Sequence, residues 1–507
     1  MSNPKIVLAS IVWLIILLIG ALLYRLWWRP TQQEAQERKQ EEVVAATSGT
    51  STYQHTIKLG LDGFSGYALL RSPELSQQLR AGGIRLETVD DGANYNERLA
   101  ALADGRLQMA AFPIDALLSA SAARKGLPAT IVALLDETRG ADALLAYKAR
   151  FPDIDSLNSP ETRFVLVGGS PSETLFRVLL HDFRLDKVTP KSILSVPTAQ
   201  DVFKRYQAAQ PGGNEVFITW EPFVSQLKTN EAIDVLLDTS RQSGYIVDAL
   251  VVSRDFLIKN EAVVRQVLQA YFRVLYSVSN AQSLEKLVER DAQAIGAPVT
   301  TAQAVDLVKG IQWKNTQENF AHFGLVPAPL PHIEDMIDRI KRVLMETQAL
   351  SSDPTEGEAS RMFNERALRE LSSSGFHPGL STEEVRSQAP LVELDDEQWD
   401  RLVSVGTLSS PPLVFARGRA SLTEASQLVL DELVEKLESW PAYYVKVVGN
   451  AGSIGDPEAN RKLANERAQA AVSYLQSKGV APSRMRAVSG QSLGEMSVTF
   501  VFGQLPY

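Results

Sequence analysis

Between residues 56 and about 350, short runs rich in branched and aromatic side chains alternate with stretches of helical periodicity. This alternation is typical of a mainly parallel β-sheet with helices on its faces, because each parallel strand needs a crossover connection to the next. Ligands of such sheets lie beyond the carboxyl ends of the strands. We therefore predict an α/β domain over residues 55–350, with its binding site in the strand-end loops. The predicted strands are 56–61, 84–88, 107–112, 130–135, 163–167, 215–219 and 249–252.

Six segments of this region follow one another in the order found in a known family. They are LGLDGFSGYALL (59–70), DGRLQMAAFPIDALL (104–118), IVALLDETRGADALLA (131–146), VLVGGSPSETLFRVLL (165–180), ITWEPFVSQL (218–227) and VDALVVSRDFL (247–257). Together they resemble the periplasmic substrate-binding proteins of the nitrate, taurine and sulfonate transport type. The resemblance implies two α/β lobes, a hinge, and a cleft between the lobes that binds a small solute.

The loops of this predicted cleft carry polar and aromatic side chains. A Gly-Gly-Ser-Pro-Ser-Glu stretch at 168–173 is typical of a helix start, with Ser170 as N-cap and Glu173 completing a capping box, and its free N–H groups also suit an anion. The many carboxylates favour a ligand with an amine, unless salt bridges between the lobes neutralise them and leave room for an oxyanion. Trp220 is either an aromatic wall of the cleft or a core residue. The cleft candidates are Asp62, Phe64, Ser65, Asp115, Asp136, Glu137, Asp142, Ser170, Ser172, Trp220 and Glu221.

Residues 6–24 carry no charged side chain, and a helix of about 20 apolar residues is long enough to span a membrane. Aromatic and cationic residues follow at once at 25–29, as they do at a membrane interface. The run is long for a cleaved signal peptide and has no A-x-A-like site before the tryptophan pair, which favours an uncleaved anchor. Flanking charge favours the opposite orientation, so the periplasmic placement rests on the downstream domains. We predict a short cytoplasmic tail at 1–5, a transmembrane anchor at 6–28 and a linker at 29–54.

After residue 350 the sequence contains two further regions that differ in composition and pattern. Residues 351–395 are rich in Ser, Glu and Pro with one short helical pattern, and they predict a semi-ordered connector between two domains. Residues 396–507 predict an α+β domain in the order β-α-β-α-β-β. Its first strand is predicted at 411–422, and a capping box from Ser421 to Glu424 predicts the start of its first helix.

One predicted helix of this terminal domain carries the pattern N-x-x-L-x-x-x-R-A from Asn460 to Ala468, followed by Y-L-x-x-x-G-V at 474–480. The region resembles the OmpA-like family, in which an Asp of a G-H-T-D loop and the Arg of the R-A pair clamp a diaminopimelate residue of peptidoglycan. Arg467 matches that Arg, whereas Gly452 stands at the position of the Asp, and the family's terminal N-R-R segment is absent. The peptidoglycan-binding candidates are Arg467, Asn460 and Asp456, the last of which is either a substitute acidic partner or a helix cap.

Composition excludes several functions. A formal net charge of -9 gives no basic field to attract a polyanion, so nucleic acid is not a predicted partner. The chain has no cysteine, which removes disulfides, thiolate metal sites and cysteine nucleophiles. No two of the five histidines lie at helical metal-ligand spacing, and the sequence contains neither a G-x-S-x-G motif nor a Walker loop. We therefore predict no metal, no cofactor and no enzymatic activity.

These features together predict a single-pass protein of the bacterial inner membrane, with the bulk of the chain in the periplasm. Such a protein would bind a small solute through the two-lobed domain and contact peptidoglycan through the OmpA-like domain, as a sensor or tether. One alternative is the substrate-binding component of an ABC importer, whose partner is a permease. The other is a scaffold that binds no ligand and holds an envelope protein assembly together.

Overall fold

The computed structural model describes residues 53–221, 223–386, 391–492 and 496–506. The predicted tail, the predicted anchor and nearly all of the first linker lie outside these ranges, so the anchor stays a prediction. Among the described residues, no helix is both long and apolar enough to cross a membrane. The chain divides into two compact units, of which the larger consists of residues 57–78 and 86–507. Within the smaller unit, the Arg80 and Arg85 guanidiniums lie 5.9 and 5.7 Å from the centre of the Tyr53 ring.

Strands and helices alternate through most of the described chain. The strands are β1 (His55–Leu61), β2 (Ile84–Asp90), β3 (Met109–Pro113), β4 (Ala129–Thr138), β5 (Asp142–Tyr147), β6 (Arg163–Val167), β7 (Ile193–Val196), β8 (Glu215–Trp220), β9 (Ile233–Asp238), β10 (Val247–Ser253), β11 (Ile311–Trp313), β12 (Val403–Thr407), β13 (Tyr444–Ala451), β14 (Met485–Ser492) and β15 (Ser497–Gln504). The α-helices are α1 (Pro73–Ala81), α2 (Tyr95–Ala103), α3 (Ile114–Arg124), α4 (Pro171–Asp182), α5 (Ala199–Ala208), α6 (Phe223–Lys228), α7 (Arg254–Lys259), α8 (Glu261–Ser277), α9 (Ala281–Ala294), α10 (Thr301–Lys309), α11 (Thr316–His322), α12 (Ile333–Glu346), α13 (Arg366–Ser373), α14 (Asp396–Asp400), α15 (Glu424–Ser439) and α16 (Pro457–Ser477).

The described residues of the α/β domain form two mixed sheets. The first lobe has the strand order β11-β4-β10-β3-β1-β2, and the second has the order β7-β6-β8-β5-β9. In the first sheet β1 is parallel to β3, whereas β10 is antiparallel to both β3 and β4. In the second sheet β6 is parallel to β7 and β8, whereas β5 is antiparallel to β8 and β9. The two-lobed α/β prediction is confirmed, but the prediction of a mainly parallel sheet is wrong.

The chain passes between the lobes at two neighbouring points. Residues 139–141 join β4 of the first sheet to β5 of the second, and residues 239–246 lead from β9 back to β10. The two crossings are hydrogen-bonded to each other, because Gly140 N donates to Thr239 Oγ1 at 2.7 Å and Thr239 N donates to the Asp142 carbonyl at 3.0 Å. Two short adjacent crossings are the arrangement that a hinge between lobes requires.

The segment predicted as a semi-ordered connector lies against the first lobe as far as residue 386. Asn364 N donates to the Ile131 carbonyl at 2.8 Å, which adds a single bridge beside β4. Further along, the Arg386 guanidinium pairs at 2.6 Å with Glu318, a side chain that is almost fully buried. A salt bridge with one buried partner is costly to break, so it holds the end of this segment in place.

The terminal domain is a four-stranded sheet in the order β12-β15-β13-β14, with α15 and α16 as its long helices. The prediction of its first strand at 411–422 is wrong, since that strand is β12 and only an isolated bridge from Phe415 to Leu422 lies in the predicted range. The predicted cap at Ser421 is also wrong, because Thr423 is the N-cap of α15. The physical reason is local: the Ser426 hydroxyl and its neighbours take up the N–H and carbonyl groups of Val414, which are then unavailable to a sheet.

The terminal domain is joined to the second lobe by a buried junction. Asp182, at the end of α4, is fully buried and accepts a hydrogen bond of 2.7 Å from the Trp440 indole N–H. The Phe183 ring packs edge-on against Trp440, with ring centres 5.6 Å apart. Backbone hydrogen bonds add to this, from Arg184 N to the Thr407 carbonyl and from Ser409 N to the Asp182 carbonyl. The two domains therefore share buried polar and aromatic contacts.

Candidate functional site

A small cavity lies between the two lobes, where several strands begin or end. Its volume is about 30 Å³, which is room for one or two water molecules. The first lobe contributes Asp62 after β1, Pro113 at the end of β3 and Thr138 at the end of β4, and the second contributes Asp142 and Trp220. Of the residues predicted for the cleft, the structure brings Asp62, Phe64, Asp142 and Trp220 together in its wall.

Two carboxyl groups face each other on neighbouring strands beside this cavity. Asp136 of β4 is in register with Asp248 of β10, and both side chains are buried. Burial raises the pKa of Asp136 to about 8, against the opposing effect of the Lys314 charge. Burial and the charge of Asp136 raise the pKa of Asp248 well above its usual range, even though the Tyr67 hydroxyl donates a hydrogen bond to it. At neutral pH this pair therefore holds protons that exposed aspartates would have lost.

The pKa values of two further carboxyl groups near the cavity are also raised. Burial raises the pKa of Asp142 to about 7 and that of Asp115 to about 6. The Thr174 hydroxyl, from the second lobe, donates a hydrogen bond to Asp115 of the first. Neither oxygen of Asp136 completes a hydrogen bond of normal geometry, and the buried hydroxyls of Thr138 and Ser172 are in the same condition. Buried polar atoms of this kind are costly unless something pairs with them.

A buried arginine holds the base of the cleft. The Arg98 side chain is 1% exposed and bonds to Asp62 at 2.9 Å, to Asp91 at 2.7 Å and to the Ala111 carbonyl at 2.6 Å. Its guanidinium also lies 4.9 Å from the centre of the Tyr95 ring. Because four of its five N–H donors are directed at these partners, Arg98 orients Asp62 and the Tyr95 ring but offers little to a ligand.

Glu137, also predicted for the cleft, faces a different cavity. Successive side chains of a strand point to opposite faces, so Asp136 and Glu137 diverge along β4. Glu137 pairs with Lys314 at 2.6 Å and with Arg139 at 3.2 Å, and although burial opposes it, these two charges lower the pKa of Glu137 to about 2. The cavity that it lines has a volume of about 810 Å³ and reaches Glu438 of the terminal domain.

Most of the remaining residues predicted for the cleft form hydrogen bonds with neighbours close in sequence. The Ser170 hydroxyl accepts from Ser172 N at 3.3 Å as the N-cap of α4, and Glu173 accepts from Gly169 N at 2.8 Å. This helix start is thus occupied by its own side chains. Glu221 accepts from the backbone N–H and hydroxyl of Ser225, while Ser65 begins a short 3₁₀ helix outside the cavity wall.

Several residues of the cavity were not singled out from the sequence. They are Tyr67, Tyr95, Thr138 and Asp248, together with Arg98 beneath them. A usable signal exists for Asp248, because a single charged residue inside the apolar run VDALVV indicates a buried carboxyl with a special environment. The positions of Tyr95 and Arg98 depend on how α2 packs, which the sequence pattern does not predict.

In the terminal domain, each of the three peptidoglycan-binding candidates makes contacts with its own local neighbours. Arg467 is half-buried, with Nε donating to the Arg419 carbonyl at 3.0 Å and its guanidinium 4.7 Å from the Phe415 ring centre. Burial lowers the pKa of Arg467 from its usual value. Asp456 is the N-cap of α16, accepting from Ala459 N at 2.7 Å, and the Asn460 amide donates to the Gly452 and Ile454 carbonyls. Asn460 therefore shapes the loop that holds Gly452.

Comparisons with known proteins identify the class of the terminal domain. A model of the OmpA family matches residues 414–496, so the chain has an OmpA-like domain at its C-terminal end. It is 30% identical over 120 residues to outer membrane protein P5 of Haemophilus influenzae, covering 24% of this chain and 31% of that protein. It is 34% identical over 92 residues to the peptidoglycan-associated lipoprotein of Rhizobium meliloti strain 1021, covering 18% and 50%. The chain thus spans half or less of the length of these relatives.

Solved structures similar to this chain include periplasmic binding proteins. The periplasmic aliphatic sulphonate binding protein SsuA of Escherichia coli is 18% identical with a TM-score of 0.46, covering 61% of this chain and 98% of that one. The periplasmic nitrate-binding protein NrtA of Synechocystis PCC 6803 is 14% identical with a TM-score of 0.41, covering 60% and 92%.

Proposed function

We propose that this chain is a non-catalytic protein of the bacterial periplasm, anchored in the inner membrane by residues 6–28, that binds a small solute between its lobes. Its OmpA-like domain contacts peptidoglycan, so the protein acts as a sensor or tether. The observation that carries the proposal is the cleft itself: two α/β lobes joined by two adjacent crossings enclose a cavity whose wall contains buried polar groups. Ligand sites occur where a few polar groups converge in a cavity of this kind.

The buried junction supports a sensing role in particular. Helix α12 packs against α3 of the first lobe and α4 of the second, and its Arg342 pairs at 2.5 Å with Glu435 of the terminal domain. Asp182 and Trp440 fix the same domain to the second lobe. A movement of the lobes would therefore change the contacts of the terminal domain, which is the requirement for coupling two sites.

A second candidate function is the scaffold that binds no ligand. It is favoured by one observation, the volume of about 30 Å³ of the cavity, which is too small for a solute of several heavy atoms without opening of the lobes. Thermal denaturation of the full chain with a panel of amines, sulfonates and oxyanions separates the two functions. Stabilisation by at least one solute supports binding, whereas no stabilisation by any of them leaves the scaffold.

The peptidoglycan contact predicts an effect of Arg467. In a co-sedimentation assay of the detergent-solubilised full chain with purified peptidoglycan, we expect Arg467→Ala to bind about tenfold more weakly, because one charge-assisted hydrogen bond is lost. The matched control is Arg461→Ala, which replaces an exposed arginine on the same helix whose ion-pair partner, Glu458, is exposed as well. Equal sedimentation of Arg467→Ala and the unaltered protein would remove Arg467 from the contact.

The junction predicts a change in how the domains unfold. Trp440→Phe keeps an aromatic side chain, although a smaller one, and removes the N–H that Asp182 accepts, at an expected cost of about 1–3 kcal/mol, since a buried carboxylate loses a donor. Calorimetry should then separate the unfolding of the terminal domain from that of the α/β domain. Tyr474→Phe is the control, because it removes a hydrogen bond to Asp431 inside the terminal domain. Identical transitions in Trp440→Phe and the unaltered protein would contradict the coupling.

A further inference from the structure

The cavity between the lobes is surrounded by groups that attract a positive charge. Its wall includes the carboxyl groups of Asp62, Asp142 and Asp248, and four aromatic rings, those of Phe64, Tyr67, Tyr95 and Trp220. Carboxylates and aromatic faces are the two kinds of group that bind organic ammonium ions. Thr138 Oγ1 is buried in the same wall beside Asp142, and a hydroxyl oxygen that faces a carboxyl group can still accept a further hydrogen bond.

The cationic side chains nearby are already committed to other partners. Arg98 bonds to Asp62, Asp91 and the Ala111 carbonyl, and Lys314 pairs with Glu137 on the opposite face of β4. Neither of them lies in the cavity wall. A sulfonate or nitrate in this cavity would face several carboxyl groups without a cation of its own, which is unfavourable in a buried site.

The size of the cavity restricts what enters it. A volume of about 30 Å³ admits a group of about the size of one or two water molecules, such as a primary ammonium head. The hinge at residues 139–141 and 239–246 supplies the opening through which a longer body attached to such a head would be admitted.

We propose that the cleft binds a primary ammonium ion, whose N–H groups are accepted by Asp142, Asp248 and Thr138 beneath the aromatic rings. This assignment of the ligand class rests on the proposed solute-binding function. The sequence was compatible with either an amine or an oxyanion as the ligand, and the proposal selects the amine.

Binding of the ammonium ion displaces a proton. Asp142 is faced by Thr138 of β4, by Asp115 of α3 and by Glu221 after β8, and burial raises its pKa to about 7. Asp248 is faced by Asp136, Tyr67, Asp62 and Asp115. Asp136 in turn is faced by Lys314, Glu137, Asp142, Asp248 and Tyr271. When R–NH₃⁺ enters, a carboxyl O–H bond breaks and its proton passes to solvent, so the total charge of the site is unchanged.

The proposal is tested with methylammonium chloride and the full chain in detergent. We expect methylammonium to raise the melting temperature. Below pH 7 its affinity should rise about tenfold for each unit by which the pH is raised, because one proton leaves for each cation bound. Titration in weakly buffered solution should show that proton directly. Sodium methanesulfonate, which also carries one methyl group but has the opposite charge, should have no effect at the same concentration and ionic strength.

Two variants locate the effect. Asp142→Asn and Asp248→Asn resemble the protonated side chains in shape, so both should fold, and both should lose methylammonium binding at least tenfold. Asp400→Asn, an exposed change at the end of α14, should bind as the unaltered protein does. Binding of methanesulfonate in place of methylammonium would overturn the ammonium assignment and leave solute binding intact. An unaltered affinity in both cleft variants would also overturn it, and stabilisation by no solute at all would overturn the solute-binding function itself.

Discussion

Replacing Arg98 with methionine is expected to lower the free energy of unfolding by about 3–5 kcal/mol, because it leaves buried carboxylates without their cation. The Arg98 side chain is 1% exposed and bonds to Asp62, Asp91 and the Ala111 carbonyl. Methionine retains much of the volume of the stem but none of the five donors. Urea denaturation of the full chain, with the two-state assumption checked by two probes, measures the difference.

The control for this change is Arg106→Met. Arg106 pairs with Glu97 at 2.7 Å, but both side chains are 55% exposed, and water screens exposed ion pairs so that they contribute little to stability. If Arg98→Met cost no more than Arg106→Met, the base of the cleft would not depend on this arginine. The comparison matters for function because Arg98 orients Asp62 and lies against the Tyr95 ring, both of which line the cavity.

The α/β core was accessible from the sequence because its strands are continuous apolar runs. All residues of β3, β4 and β10 are buried, and each corresponds to a predicted strand. The strand β5 follows β4 after only three residues, so the pattern does not separate the two, although they belong to different sheets. Apolar runs show that a segment is buried but carry no information about which sheet it joins.

The sequence pattern also fails to predict which of two neighbouring carboxylates, Asp136 or Glu137, faces the cleft. The predicted strand ends at residue 135, which leaves Asp136 and Glu137 in a loop where both face one cleft. In the structure β4 continues to Thr138, and the pleat of the strand directs the two carboxylates to opposite faces. Element boundaries are the least certain part of a sequence-based prediction, and here a shift of three residues decides which carboxylate belongs to the site.

The junction between the domains had no signal in the sequence. Asp182 and Trp440 are separated by 258 positions, and neither belongs to a motif of its domain. A connector rich in Ser, Glu and Pro favours independent domains, yet contacts of buried side chains outweigh the composition of a linker. Such complementarity between distant surfaces becomes visible only when the surfaces are placed together.

Asp136→Asn is expected to stabilise the protein at neutral pH, by about 2–4 kcal/mol at pH 7. Burial raises the pKa of Asp136 to about 8, whereas in the unfolded chain it returns to 3.8. The stability that its protonated form contributes is therefore fully present below about pH 4 and is lost as pH rises towards 8, because the unfolded chain releases the proton first. An asparagine has no proton to release, and its amide can donate a hydrogen bond to Asp248.

The measurement is urea denaturation of both proteins at pH 5, 6, 7 and 8, with Asp400→Asn as an exposed control. The difference between Asp136→Asn and the unaltered protein should grow with pH by up to about 1.4 kcal/mol per unit, while the control stays parallel to the unaltered protein. A constant difference across this range would mean that Asp136 is already ionised in the folded protein at pH 5. In that case the site would present a permanent negative charge, and an ammonium ligand would bind without releasing a proton from Asp136. The pH profile therefore distinguishes a cleft in which Asp136 is protonated before the ligand binds from one in which Asp136 is already ionised.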